Sequence, residues 1–230
     1  VEGDIASVKA NESSWQNSCN DAAIVVLSRA GGESTDAAMK TEEGRNYLAL
    51  SSQEEDLMSY LKQQKEAGVF GSIIVLVNSE QAMELGWLDE YDVDACLVVG
   101  RPGAVGYTGI VNVLTGAANP SGRLVDTYAS NSLSAPATVF AGENTQTWAN
   151  LDWVENNDVD FGTDGSENNW IVYAEGIYVG YKYYETRYED TVLKAGNADS
   201  TKGSSTGNAW NYADEVSFTF GDGLSYTTFE

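Results

Sequence analysis

Residues 21–36 read DAAIVVLSRAGGESTD, and the run AAIVVLS inside them decides the fold. The run is apolar without polar alternation, and it stops at Arg29, just ahead of Gly31 and Gly32. Strands buried on both faces of a parallel sheet have this pattern, whereas half-solvated antiparallel strands alternate. SIIVLV at 72–77 and DACLVV at 94–99 share it, and RLVDTY at 123–128 is a fourth, weaker run.

Between the first two runs lies SSQEEDLMSYLKQQKEAG, residues 51–68. Ser52 with Glu55 matches a capping box, Leu57 and Leu61 fall on one helical face, and Gly68 is a natural stop, so a helix is predicted here. A shorter helix is expected over Ala82 to Leu88. Another is expected over Val105 to Leu114, closed by Gly116 ahead of the turn Asn119-Pro120-Ser121-Gly122. Strands alternating with helices place the chain in the α/β class, as a doubly wound, mostly parallel sheet of the flavodoxin-like α/β-sandwich kind with right-handed crossovers.

Beyond residue 129 the character changes. Residues 130–169 are polar and rich in Asn, and 190–213 contains GNADSTKGSSTGNAW; both read as exposed insertions. Two more ordered pieces, IVYAEGIYVGYKYYE at 171–185 and VSFTFGDGLSYTTFE at 216–230, read as extended segments returning to the domain, with tyrosines on alternating sides.

The 230 residues, 42% of them hydrophobic, suffice for one domain with a sizeable core. Acids outnumber bases 35 to 12, and the net charge of -23 repels nucleic acid and anionic membranes but tolerates neutral ligands such as sugars. Histidine is absent, which removes Ser-His-Asp triads, Cys-His dyads and His-based metal sites from what this chain can build alone. Acid–base chemistry must then fall to carboxylates, Lys or Tyr. Cys96, inside an apolar run, reads as a core residue; Cys19 lies in a polar stretch, and a Cys19–Cys96 disulfide is the weaker reading. No apolar run is long enough to cross a bilayer, and VEGDIASVKA has neither a basic start nor an apolar signal core. The acidic, Cys-poor composition suits either side of a bacterial-type membrane.

In open parallel sheets the ligand crevice lies beyond the carboxyl ends of the strands. The residues to inspect are therefore 29–36, 78–80 and 100–103. Glu33 is the acid presented there, behind two glycines that free the backbone for a tight loop. An acid in such a loop is more commonly a solvated turn residue. Asp36 can simply cap the next segment of chain, and Arg101 can clamp a ligand or pair with an acid. The first βα turn lacks G-x-G-x-x-G spacing, and there is no G-x-x-x-x-G-K-[ST] phosphate loop.

Taken together, DAAIVVLSRAGGESTD, NSEQAMELGWL, VDACLVVGRPGAVGYTGIVNVLTGAANPSGRLVDTYA, YAEGIYVGYKYYE and FTFGDGLSYTTF, in that order, resemble the α/β-sandwich domain of glycoside hydrolase family 3, the β-glucosidases and their relatives. The similarity is close over about 21–129 and returns at 171–186 and 216–229. It implies a domain truncated at its first sheet strand, and a two-domain active site in which a (β/α)8-type barrel, absent here, supplies an aspartate nucleophile. Glu33 in GGESTD matches the family's acid/base glutamate. The resemblance further implies a retaining exo-β-glycosidase that needs no metal or organic cofactor, with a fibronectin-III-like domain elsewhere in the same protein. On this view the chain is inactive without the barrel, and its open sheet edge is covered by a segment not represented here or by self-association. Ser34 stands where the family commonly has glycine, and Asp222 where it has an aromatic residue. The contrasting reading is a carbohydrate-binding or interaction module that kept the fold without the chemistry.

Overall fold

The structure is a computed structural model, and it describes residues 5–32, 37–138, 173–196, 198 and 200–228. Two short helices, α1 (Ile5–Ala10) and α2 (Glu12–Trp15), precede strand β1 (Ala22–Ser28). Helix α3 (Ser52–Glu66), β2 (Ser72–Asn78), β3 (Ala95–Val98) and α4 (Gly103–Leu114) come next. The three strands form one parallel sheet in the order β1-β2-β3, with Ala22 opposite Ser72 and Ile74 opposite Ala95. This is the α/β arrangement that the apolar runs predict.

The core lies on one face of this sheet. Val25 and Leu27 of β1 and Ile73, Val75 and Val77 of β2 pack with Met58 and Leu61 of α3, and Met58, Ile73, Val75 and Val77 are fully buried. Each such side chain contributes about 1.5–3 kcal/mol by leaving water. Trp15 closes the amino-terminal side edge-on to Tyr60, with ring centroids 6.4 Å apart. β2, with a neighbour on either side, keeps the expected near-continuous burial. β1 does not: Ile24 and Val26 are 54% and 52% exposed, so its burial alternates although its sequence does not. The physical reason is its edge position, with no packing among the described residues on its second face. Helix α4 is uncharged and mostly apolar yet has no buried residue.

The helical signals are displaced or overridden in the 51–88 region. In α3 the capping box forms one residue earlier than expected: Ser51 is the N-cap and Glu54 bonds back to its N–H, while Glu55 instead pairs with Arg45 at 2.6 Å. Gly68 does end the helix, with φ 75° just past the Ala67 cap. Residues 82–88 are not helical. Glu84 N–H bonds the Leu48 carbonyl, and Met83, Leu85 and Leu88 are buried as a turning segment around Gly86, so tertiary contacts take the groups a helix would need.

The carboxy-terminal half departs further from expectation. RLVDTY is not a fourth parallel strand; only Tyr128–Ala129 is a strand (β4), and it pairs antiparallel with β5 (Val216–Phe218) in a separate two-stranded sheet. Asp126 accepts from the Thr127 N–H, and Leu124 exchanges bonds with the 221–222 turn, so the backbone is committed locally. Residues 173–185 are not extended either. They turn at 174–177 and enter helix α5 (Tyr181–Leu193), followed by α6 (Tyr212–Glu215). Tyr181, Tyr184 and Tyr188 are at helical spacing, and the Arg187 guanidinium donates to Tyr183 Oη one turn back at 2.7 Å. Within the stretch read as an exposed insertion, Ala198 and Trp210 are buried, Trp210 alongside Tyr184, Val216 and Ala129. Expectations for 139–172 lie outside the described residues.

Both cysteines are free, Cys19 exposed and Cys96 packed against the core, where burial pushes its thiol up to about 12. A thiolate-directed reagent at pH 8 should therefore modify one cysteine of the native protein rapidly and both after denaturation. Rapid labelling of two in the native state would contradict this packing.

Candidate functional site at the strand ends

The carboxyl ends of β1, β2 and β3 converge on the loop that leaves β1. Arg29, the first residue after the strand, is held hard: its side chain is 8% exposed and meets Glu54 with both terminal nitrogens, at 2.8 and 2.7 Å. The same guanidinium donates to the carbonyls of Tyr47, Ala49 and Ser28. Burial alone would push the Glu54 carboxyl up, but hydrogen bonds from Arg29 and from the Ser51 N–H, with the Arg29 charge, leave it below the ordinary carboxylate value. The arginine at the end of the strand therefore ties β1 to the start of α3.

The next residues are gripped by their backbone. Tyr47 Oη donates to the Ala30 carbonyl at 3.0 Å and accepts from the Ala30 N–H at 2.9 Å. Arg101, in the turn after β3, donates from Nη2 to the Gly31 carbonyl at 2.5 Å, and its Nε lies 3.4 Å from Glu80 Oε1 after β2. Gly31 is required by close approach: a Cβ there would meet Gln81 Nε2 and Ala37 Cβ at 2.9 Å each. From β2, Asn78 Nδ2 reaches Ser28 Oγ at 3.3 Å, and buried Ser79 turns the chain by accepting from the Gln81 N–H.

Gly31 and Gly32 lie, as expected, at the carboxyl end of the sheet, beside the 78–81 and 100–103 loops. Glu33, the expected acid, and Asp36 lie outside the described residues; Gly32 and Ala37 flank them. Arg101 is engaged by Glu80 and the Gly31 carbonyl. Sequence reasoning placed Arg29 in the 29–36 stretch without a role, and missed Tyr47. The first carried a signal, since an arginine directly after a buried strand, in a chain this acidic, must find a carboxylate; nothing marks Tyr47, which arrives from a loop. Among the described residues no group of three or more Cys, Asp or Glu side chains could hold a metal ion.

The chain is similar throughout to known proteins. It is 29% identical over 211 residues to a β-glucosidase of Ruminococcus albus, covering 92% of this chain and 16% of the relative, and 25% identical to β-glucosidase A of Butyrivibrio fibrisolvens, covering 91% and 21%. Among solved structures, it is similar to β-glucosidase 3B from Thermotoga neapolitana in complex with α-D-glucose, with TM-score 0.59 and 28% identity over 94% of this chain and 23% of that one. A β-glucosidase from Paenibacillus barengoltzii gives TM-score 0.60 and 25% identity, over 94% and 17%. The chain thus spans less than a quarter of the length of each of these relatives. Residues 7–181 match the glycosyl hydrolase family 3 C-terminal domain, and the chain belongs to that family.

Proposed function

We propose that this domain supplies the proton donor of a retaining exo-β-glycosidase of the β-glucosidase type, which removes terminal β-linked glucose from oligosaccharides or glycosides. Glu33 is the acid/base. The nucleophile and most of the sugar pocket belong to a (β/α)8 barrel elsewhere in the full-length protein, which also has a fibronectin-III-like domain. Residues 1–230 form one α/β-sandwich domain with polar insertions at about 130–169 and 190–213, inactive without the barrel. The observation that carries this reading is the position of Glu33 in the sequence, directly after Gly32, where the loops of all three parallel strands meet in a chain of this family.

Retaining glycosidases place two carboxyl groups about 5–5.5 Å apart across the scissile bond. In the first step Glu33 gives its proton to the leaving oxygen as the C–O bond breaks and the barrel carboxylate bonds to the anomeric carbon. In the second step ionised Glu33 takes a proton from water, whose oxygen displaces the carboxylate. Azide needs no such base, which provides the test. In the full-length protein, Glu33→Ala should turn over a dinitrophenyl β-glucoside faster when azide is added, releasing β-glucosyl azide. Absence of that product from an otherwise folded variant would remove Glu33 from the acid/base role.

A further inference from the structure

We infer that Arg101 is a positioning residue for the loop that delivers Glu33, acting through the Gly31 carbonyl; the inference rests on the acid/base reading of Glu33. One guanidinium touches the loops after all three strands. It extends from the β3 turn, donates to Gly31 O after β1, and lies 3.4 Å from Glu80 Oε1 after β2. Its terminal nitrogens are also 3.6 and 3.7 Å from where a Cβ on Gly32 would sit, so it lies against the residue immediately before Glu33.

The chemistry of the loop explains why such a clamp is needed. Gly31 admits no side chain, and Gly32 has none, so neither can anchor itself by packing, and glycine backbones are the most costly to order. Only their backbone groups can be held from outside. Tyr47 holds Ala30 in both directions, and Arg101 holds the next carbonyl along. Arg29 cannot share this task, because its donors are spent on Glu54 and three carbonyls. A planar fork suits the task better than an ammonium: Nε faces the Glu80 carboxylate while Nη2 bonds the carbonyl, and this fixes direction as well as distance.

Stability does not account for the arrangement. The Arg101 and Glu80 side chains are 53% and 50% exposed, and ion pairs this open contribute little to folding. Proton transfer, by contrast, is steeply sensitive to geometry: a displacement of about 1 Å in a reacting group can cost on the order of 100-fold. A clamp two residues before the acid is therefore worth more to turnover than to the fold.

The test uses the full-length enzyme with Arg101→Ala, Arg101→Lys and Glu33→Gln side by side. kcat/KM is measured for an alkyl β-glucoside, whose leaving group needs protonation, and for a dinitrophenyl β-glucoside, whose leaving group does not. Arg101→Ala should lower the alkyl value roughly 10- to 100-fold and the dinitrophenyl value by less than about 3-fold, with Arg101→Lys recovering part of the loss. Equal losses on both substrates, or no loss on either, while Glu33→Gln shows selective loss on the alkyl substrate, would overturn the role of Arg101 and leave Glu33 intact. Equal losses on both substrates in Glu33→Gln itself would overturn the acid/base reading, and the clamp with it.

Discussion

Glu33→Gln in the full-length enzyme should lower kcat/KM for an alkyl β-glucoside by about 10²- to 10⁴-fold, the usual contribution of a positioned general acid. Glutamine keeps the shape of the side chain and its reach but carries no acidic proton, so binding is preserved while protonation of the leaving oxygen is lost. The deficit should shrink as the leaving group improves, because a dinitrophenolate departs without help. The pH profile supplies an independent check. If Glu33 is that acid, it must be protonated to act, so wild-type kcat/KM should fall on the basic side and Glu33→Gln should lose that basic limb. A variant that retains the limb, or slows every substrate by the same factor, would show that Glu33 shapes the site without transferring a proton.

The second large effect concerns stability. Arg29→Ala should destabilise the domain by about 3–5 kcal/mol, the cost of removing one partner from a buried ion pair. Glu54, with 21% side-chain exposure, would keep its desolvation but lose its cation, and three carbonyls would lose a donor. The effect depends on pH, with a definite sign. The Glu54 carboxyl lies below its ordinary value of 4.5 in the folded protein, so its pairing contributes stability above that value and is lost as pH falls through the lower folded one. Without Arg29 burial dominates and pushes the carboxyl up, so protonation then relieves the variant. Urea denaturation should accordingly give a larger difference between wild type and Arg29→Ala at pH 7 than at pH 4. A difference that is small at pH 7, or that widens on acidification, would rule out this account.

The parts of the fold that the sequence makes legible are those whose signal is local. Three apolar runs, the α3 face defined by Leu57 and Leu61 and the glycine stops are periodic or punctuating features, and all appear in the structure. The errors share one cause, that partners distant in the chain decide the local outcome. Glu54 rather than Glu55 closes the α3 cap, in the same place where it receives Arg29. Residues 82–88 give up a helical pattern because Leu48 binds Glu84. The tyrosines at 181, 184 and 188 have a helical period that reads as alternation only when Tyr178 and Tyr183 are counted with them. At the site, the strand-end rule identifies the loops, whereas Tyr47 and the orientation of Arg101 depend on long-range packing that no pattern records.

The antiparallel pairing of β4 with β5 has a further consequence, for how the chain tolerates change. Tyr128 and Phe218 are neighbours in space, so everything from 130 to 215 is a single excursion that begins and ends at one place. Closing such an excursion costs entropy that grows only logarithmically: doubling its length adds about 0.6 kcal/mol. The β1-α3-β2-β3 unit has no comparable slack, because its strands are in continuous register and a residue gained within one would turn its neighbours inside out. A residue inserted into the excursion should therefore cost far less stability than one inserted into β1 or β2. Within the excursion, the anchored parts are those that return to the core, such as Tyr184 and Trp210, and an added residue costs least between them.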